Sequence, residues 1–194
     1  LLFRSGEIHP GQDVAESVID SSEIINTLSG GGISTVGYAE NAVEEPPSQG
    51  LLDRLGGGSD RAIDSTDATN RITSLVRKAT LGRLTLPCDV QGTERALLVV
   101  AGPTPYLNRK GIERGRKWLE EQTGSMEVRG GDFPTDEQNR VVTIVVLGGV
   151  TNVPRIKELQ QVAIEAQDSR DELTDAHDDS QDDLIESDDL DSLF

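Results

Sequence analysis

Apolar positions recur every three or four residues in three stretches of the chain, with polar or charged residues between them. This spacing is typical of amphipathic helices and predicts helices over residues 67–81, 108–122 and 153–167. Upstream, an acidic residue ahead of an isoleucine pair predicts another helix over residues 20–29, which Gly30–Gly32 would end.

Short runs rich in valine, isoleucine and leucine alternate with these helices. They predict strands over residues 95–102 and 140–147, with shorter strands at 125–129 and 33–38. The order of helices and strands predicts an α+β domain over residues 67–167, in which a mixed β-sheet is flanked by helices.

Two segments differ from this body in composition. Residues 40–66 are rich in glycine, proline and acidic residues, which predicts a flexible loop joining two packed units, residues 1–39 and 67–167. Residues 168–194 carry 12 acidic side chains and one basic side chain, which predicts a disordered acidic tail. Within the body, Gly130-Gly131-Asp132 predicts a turn between strands.

Composition excludes several classes of protein. The formal charge of −17 argues against nonspecific binding to nucleic acid or an anionic membrane. The single cysteine, Cys88, excludes a disulfide framework, and His9 and His177 leave too few ligands for a metal site of the His/Cys type. No apolar run approaches the roughly 18 residues that a transmembrane segment needs, which predicts a soluble chain.

Asp20 and Glu23 are the first candidate for a functional site. On spacing alone they form an acidic capping box, with Ile24, Ile25 and Leu28 facing a core. Alternatively, the two carboxylates lie at the exposed start of a helix and orient a water molecule for nucleotide hydrolysis. The two interpretations are compatible, because a cap fixes the geometry that catalysis would need.

The helix at 108–122 carries the second candidate, a set of five cations. Such a set is typical of a solvated face, and the alternative is an electropositive contact for an anionic group of a partner. Two glycines four residues apart weaken this helix, which predicts a close approach to another element. The cations are Arg109, Lys110, Arg114, Arg116 and Lys117.

The chain ends in a cluster of apolar residues after its acidic run. Leu190, Leu193 and Phe194 would share one face of a short helix formed on docking to a partner, and an inert tail is the alternative. The sequence does not identify that partner.

Four long strings resemble the CetZ proteins, archaeal members of the tubulin/FtsZ superfamily. They are Ala15–Ala39, Thr69–Cys88, Leu107–Asp132 and Gly149–Asp168, and the terminal Ser-Leu-Phe is also similar to the family's ending. The Thr-Asn-Val-Pro-Arg-Ile-Lys-Glu string and the Asp-x-x-Glu pattern argue against the other possibility, an FtsZ-type division protein.

The resemblance implies a cytoplasmic cytoskeletal GTPase of salt-adapted archaea that controls cell shape. Subunits would stack head to tail, and an acidic pair would trigger hydrolysis of the neighbour's GTP. Asp20 and Glu23 match that pair, although Val18 stands where bacterial FtsZ commonly has asparagine.

The family's Gly-Gly-Gly-Thr-Gly signature is absent from this sequence. The resemblance therefore implies a C-terminal part, inactive alone, with GTP and any accompanying Mg bound by a preceding domain. A non-enzymatic interaction module remains the competing hypothesis.

Overall fold

A computed structural model of the chain describes residues 19–43, 65–135 and 139–186. Its helices are α1 (Ser21–Leu28), α2 (Ser65–Leu81), α3 (Arg109–Thr123) and α4 (Pro154–Glu186). Its strands are β1 (Ile33–Ala42), β2 (Arg95–Gly102), β3 (Glu127–Pro134) and β4 (Arg140–Val150). The elements up to Val153 form one compact body, and α4 belongs to a second compact unit.

The four strands form one mixed sheet in the order β1-β4-β2-β3. Strand β4 pairs antiparallel with both β1 and β2, while β2 and β3 run parallel. This arrangement confirms the predicted α+β architecture.

Helices α2 and α3 pack on one face of the sheet. At Gly115 an added Cβ would lie 2.8 Å from Val76 Cγ2 and 3.3 Å from Leu98 Cδ2, and at Gly111 it would lie 2.9 Å from Ile72 Cδ1. The two glycines therefore allow α3 to approach α2 and the sheet closely, as their spacing predicted.

Helix α1 covers the opposite face. Ile19, just before the helix, is buried with Leu97 and Val99 of β2 and Ile144 of β4, and Ile24 packs against the same cluster. Side chains alternate between the two faces along a strand, so Leu97 and Leu98 point to opposite sides of the sheet.

The predicted division of the body at residues 40–66 is wrong. Strand β1 extends to Ala42 and pairs with β4 over its whole length, from Ile33 opposite Val150 to Ala42 opposite Arg140. Residues 33–42 therefore belong to the same sheet as the segment after residue 65, because backbone pairing over ten positions unites the two parts.

The predicted turn at Gly130-Gly131-Asp132 is also wrong. These residues lie inside β3 and pair in parallel with Leu98, Val99 and Val100 of β2. The prediction used only the local preference of glycine for turns. In the structure, backbone pairing with β2 keeps this segment extended.

Helix α4 corrects the third prediction, that of disorder from residue 168. The helix continues to Glu186, since neither glycine nor proline interrupts the chain between residues 155 and 186. Ser169, Thr174 and Ser180 each donate a hydroxyl hydrogen bond to the carbonyl four residues earlier. Residues 187–194 lie outside the described part of the chain.

Among the described residues, no helix has the length and apolar character needed to cross a membrane. Over the same residues, no cluster of three or more histidine, cysteine or acidic side chains could hold a metal ion.

Candidate functional site

Asp20 caps the N-terminus of α1. Its backbone is extended (φ −101°, ψ 170°), and its Oδ1 accepts a hydrogen bond from the Glu23 backbone N–H at 3.0 Å. Asp20 is exposed and Glu23 is half-buried. The Asp20 half of the predicted capping box is confirmed, and it holds one carboxylate at the solvent-facing start of a helix with a second carboxylate one turn later.

The far end of α1 is held against the sheet by backbone contacts. An added Cβ at Gly148 would lie 2.3 Å from the Thr27 carbonyl oxygen, so the helix backbone rests directly on β4. Arg95 Nη1 donates to the Asn26 carbonyl oxygen at 3.3 Å, while Arg95 Nε pairs with Glu127 of β3. These contacts fix the position of α1, and with it the position of Asp20 and Glu23.

One face of α1 is free among the described residues, which corrects the expectation that Ile25 and Leu28 face a core. Ile25 is 62% exposed and Leu28 is 46% exposed. An eight-residue helix lying on a sheet buries one narrow stripe, and here that stripe runs through Ile24 and Thr27. Ile25 and Leu28 are three residues apart, so their exposed side chains adjoin on the same side of the helix as neighbours.

The glycines after α1 end the helix, as predicted. Gly31 and Gly32 have φ values of 77° and 75°, a region that glycine adopts without steric cost, and the chain then enters β1. They are therefore a turn and not a phosphate-binding loop ahead of a helix.

The five cations of α3 divide into two groups. Arg116 forms an ion pair with Glu113 at 3.1 Å and donates to the Val128 carbonyl oxygen at 3.3 Å, which ties α3 to β3. The other four, Arg109, Lys110, Arg114 and Lys117, are exposed. Because α1 and α3 pack on opposite faces of the sheet, these cations do not lie beside Asp20 and Glu23.

Sequence reasoning missed a polar cluster on β1 and β4. The Tyr38 hydroxyl donates to Glu40 Oε2 at 2.5 Å, and Arg140 Nη1 donates to the same oxygen at 3.1 Å. The hydrogen bond to Glu40 raises the pKa of Tyr38, and the Tyr38 and Arg140 hydrogen bonds lower the pKa of Glu40. The sequence did contain an indication of this cluster: Tyr38 and Glu40 are two residues apart, and positions i and i+2 of a strand share a face.

The predicted partner-binding residues of the tail, Leu190, Leu193 and Phe194, lie outside the described residues. Cys88 is partly buried, and burial followed by the Asp89 charge raises the pKa of its thiol, which keeps it in the less reactive protonated form.

Comparison with known proteins settles the family. Residues 1–165 match the family model described as tubulin-like CetZ, C-terminal domain. The chain belongs to the CetZ family. It is 67% identical over 177 residues to tubulin-like protein CetZ1 of Haloferax volcanii, covering 89% of this chain and 45% of that protein. CetZ3 of the same organism is 61% identical over 168 residues, covering 86% of this chain and 42% of that protein.

Solved CetZ structures agree with the fold. The GDP-bound monomer of CetZ1 from Haloferax volcanii matches with a TM-score of 0.64 at 64% identity, covering 77% of this chain and 39% of that one. A GTPγS-bound protofilament of CetZ2 matches with a TM-score of 0.64 at 38% identity, covering 80% and 41%. The resemblance to CetZ is therefore confirmed, and the chain spans less than half the length of these relatives.

Proposed function

We propose that this chain is the C-terminal part of a GTP-dependent CetZ subunit that polymerises head to tail and controls cell shape. In that assembly the start of α1 completes the hydrolytic site of the adjacent subunit. The observation that carries the proposal is the capped acidic pair beside exposed apolar residues, in a family with a relative that forms a GTPγS-bound protofilament.

Glu23 is the residue that orients the attacking water. One oxygen of Asp20 already accepts the Glu23 backbone N–H, so the Asp20 carboxylate holds the helix start and assists as a nearby charge. A carboxylate with no such structural bond is better suited to accept a hydrogen bond from water and act as general base.

Binding of the nucleotide belongs to a part of the subunit other than the described residues. Gly30–Gly32 form a turn, and no acidic or histidine cluster in the described ranges could hold Mg. In this proposal GTP, with any Mg, meets the described part of the chain at the tip of α1. Ile25 and Leu28 supply apolar contact at the same interface, and the α3 cations contact acidic groups of a neighbour.

The decisive variant is Glu23→Ala in a full-length subunit with its nucleotide domain. GTP binding and assembly should persist, while turnover falls by about a hundredfold or more, the usual effect of removing a general base. Ser22→Ala, in the same exposed turn, is the matched control and should keep wild-type turnover. Turnover within twofold of wild type in the Glu23 variant would contradict the assignment.

A non-enzymatic interaction module is the competing function. It is favoured by the exposed apolar residues of α4, which include Leu159, Val162 and Ile164. GTP turnover by the full-length protein that is insensitive to both Asp20 and Glu23 would favour this second function.

A further inference from the structure

Three basic side chains of α3 lie along one side of the helix and are not held by other described side chains. Lys110, Arg114 and Lys117 are spaced i, i+4 and i+7, all are exposed, and none forms a hydrogen bond or ion pair within the part of the chain that the structure describes. They line a shallow groove that also includes Glu120, Glu121 and Met126, the last of which is 92% exposed. We call this surface the cationic groove.

The three cations repel one another within α3. Like charges three or four residues apart on a helix repel, and Arg114 has such a neighbour on each side. Arg116, by contrast, is paired with Glu113 and lies outside this stripe. Acids adjoin the two ends of the stripe, Glu113 three residues after Lys110 and Glu121 four residues after Lys117, but Arg114 has no acid three or four residues away. The charge at Arg114 is therefore not offset within the helix, which points to a ligand with negative charges at matching intervals.

The chain itself carries such a ligand in α4. Asp168, Glu172 and Asp175 are exposed and have the same i, i+4, i+7 spacing. Both triads span about 10 Å, since each helix rises about 1.5 Å per residue. Residues 168–186 contain nine acidic side chains and one basic side chain, so their charge is opposite to that of Lys110, Arg114 and Lys117.

We propose that the cationic groove of one copy binds the acidic half of α4 from a second copy. Every copy carries both surfaces, so the contact joins unlike patches and can repeat from copy to copy. The inference rests on the self-association proposed above and assigns a binding partner to the α3 cations. The proposed contact does not require a nucleotide, so the experiment that tests it is independent of the role proposed for Glu23.

Charge reversal on each surface tests the contact in the 194-residue chain. One variant carries Lys110→Glu, Arg114→Glu and Lys117→Glu, and the other carries Asp168→Lys, Glu172→Lys and Asp175→Lys. Sedimentation velocity at 0.1 M salt measures self-association, and circular dichroism verifies that each variant is folded. The single variant Arg114→Glu is compared with Arg83→Glu, an exposed arginine outside the groove.

Each triple variant should associate about tenfold or more weakly than wild type, because attraction becomes repulsion at three positions. A 1:1 mixture of the two should regain association, since the charges are again complementary between copies. Arg114→Glu should weaken association while Arg83→Glu leaves it within twofold. At 1 M salt the wild-type association should weaken, since the Debye length falls to about 3 Å.

The two triple variants change net charge in opposite directions, so general repulsion between copies would shift their association in opposite senses. Loss in both, with recovery on mixing, supports the specific contact. A wild-type chain that stays monomeric at 0.1 M salt would overturn the inference, and so would association that survives both reversals unchanged. Loss in both variants without recovery on mixing would also overturn it.

Discussion

Acidic side chains occur at opposite ends of two helices. Asp20 and Glu23 lie at the N-terminus of α1, where the helix dipole favours negative charge, and α1 itself is packed on the sheet. In α4 the acids fill the C-terminal half, where the dipole opposes them and where they repel one another at i+3 and i+4. The backbone that carries the acids of α1 is therefore held in place, whereas the helical state of the α4 acids depends on screening or on a partner.

The largest effect is expected where α1 touches β4. Gly148→Ala places a Cβ 2.3 Å from the Thr27 carbonyl oxygen, and neither backbone can yield easily. Unfolding free energy measured in urea should fall by about 2–3 kcal/mol, in the range of overpacked sites. Gly30→Ala is the matched control, because its Cβ would meet only side-chain atoms of Arg95 and Glu94 and no backbone. An equal loss in both variants would contradict the close approach of α1.

Removal of the cap should have a smaller effect. Asp20→Ala leaves the Glu23 N–H without its acceptor and should cost about 1 kcal/mol of stability. Asp20→Asn keeps an acceptor oxygen and should stay within a few tenths of a kcal/mol of wild type. If the asparagine variant lost as much stability as the alanine variant, charge and not capping would explain the role of Asp20.

In α4 a single charge reversal should stabilise the helix. Asp175→Lys turns repulsion with the acids three and four residues away into attraction, worth about 0.5–1 kcal/mol summed over these pairs. The circular dichroism signal at 222 nm should become more negative at 0.1 M salt, and the gain should shrink at 1 M. No gain at low salt would show that repulsion does not limit this helix.

The smallest effect concerns the cluster on β1 and β4. The pKa of Glu40 is held below its usual range by the Tyr38 hydroxyl and Arg140, so its stabilising contribution is present above the unfolded-state value of 4.5. That contribution is lost as pH falls through the lower folded-state pKa. Glu40→Gln should therefore flatten the acid side of a stability–pH curve, measured by urea unfolding. A curve parallel to wild type would contradict this coupling.

The sequence predicted those elements whose formation depends on residues close together in the chain. The periodicity of α2 and α3, the Asp20 cap and the glycine turn after α1 are all visible in short windows of sequence. Short windows of sequence do not predict that β1 continues through Glu40. Polar residues on an exposed edge strand have the composition of a loop.

Long-range pairing explains the remaining differences. Gly130 is extended because β2 lies beside it, and no residue near it in sequence indicates this. At the candidate site, the position of Asp20 and Glu23 at a helix N-terminus could be predicted, but the exposure of Ile25 and Leu28 depends on how α1 lies across the sheet.

Strand β4 lies between β1 and β2, yet it is the last strand of the sheet to be synthesised. Ala42 leaves the ribosome 98 residues before its partner Arg140, a delay of about 5–20 s at ordinary translation rates of about 5–20 residues per second. Until β4 is synthesised, β1 and β2 lack the strand that lies between them, and their apolar side chains are exposed to nonspecific association. A nascent chain that stalls before residue 140 would thus be a substrate for chaperones and proteases.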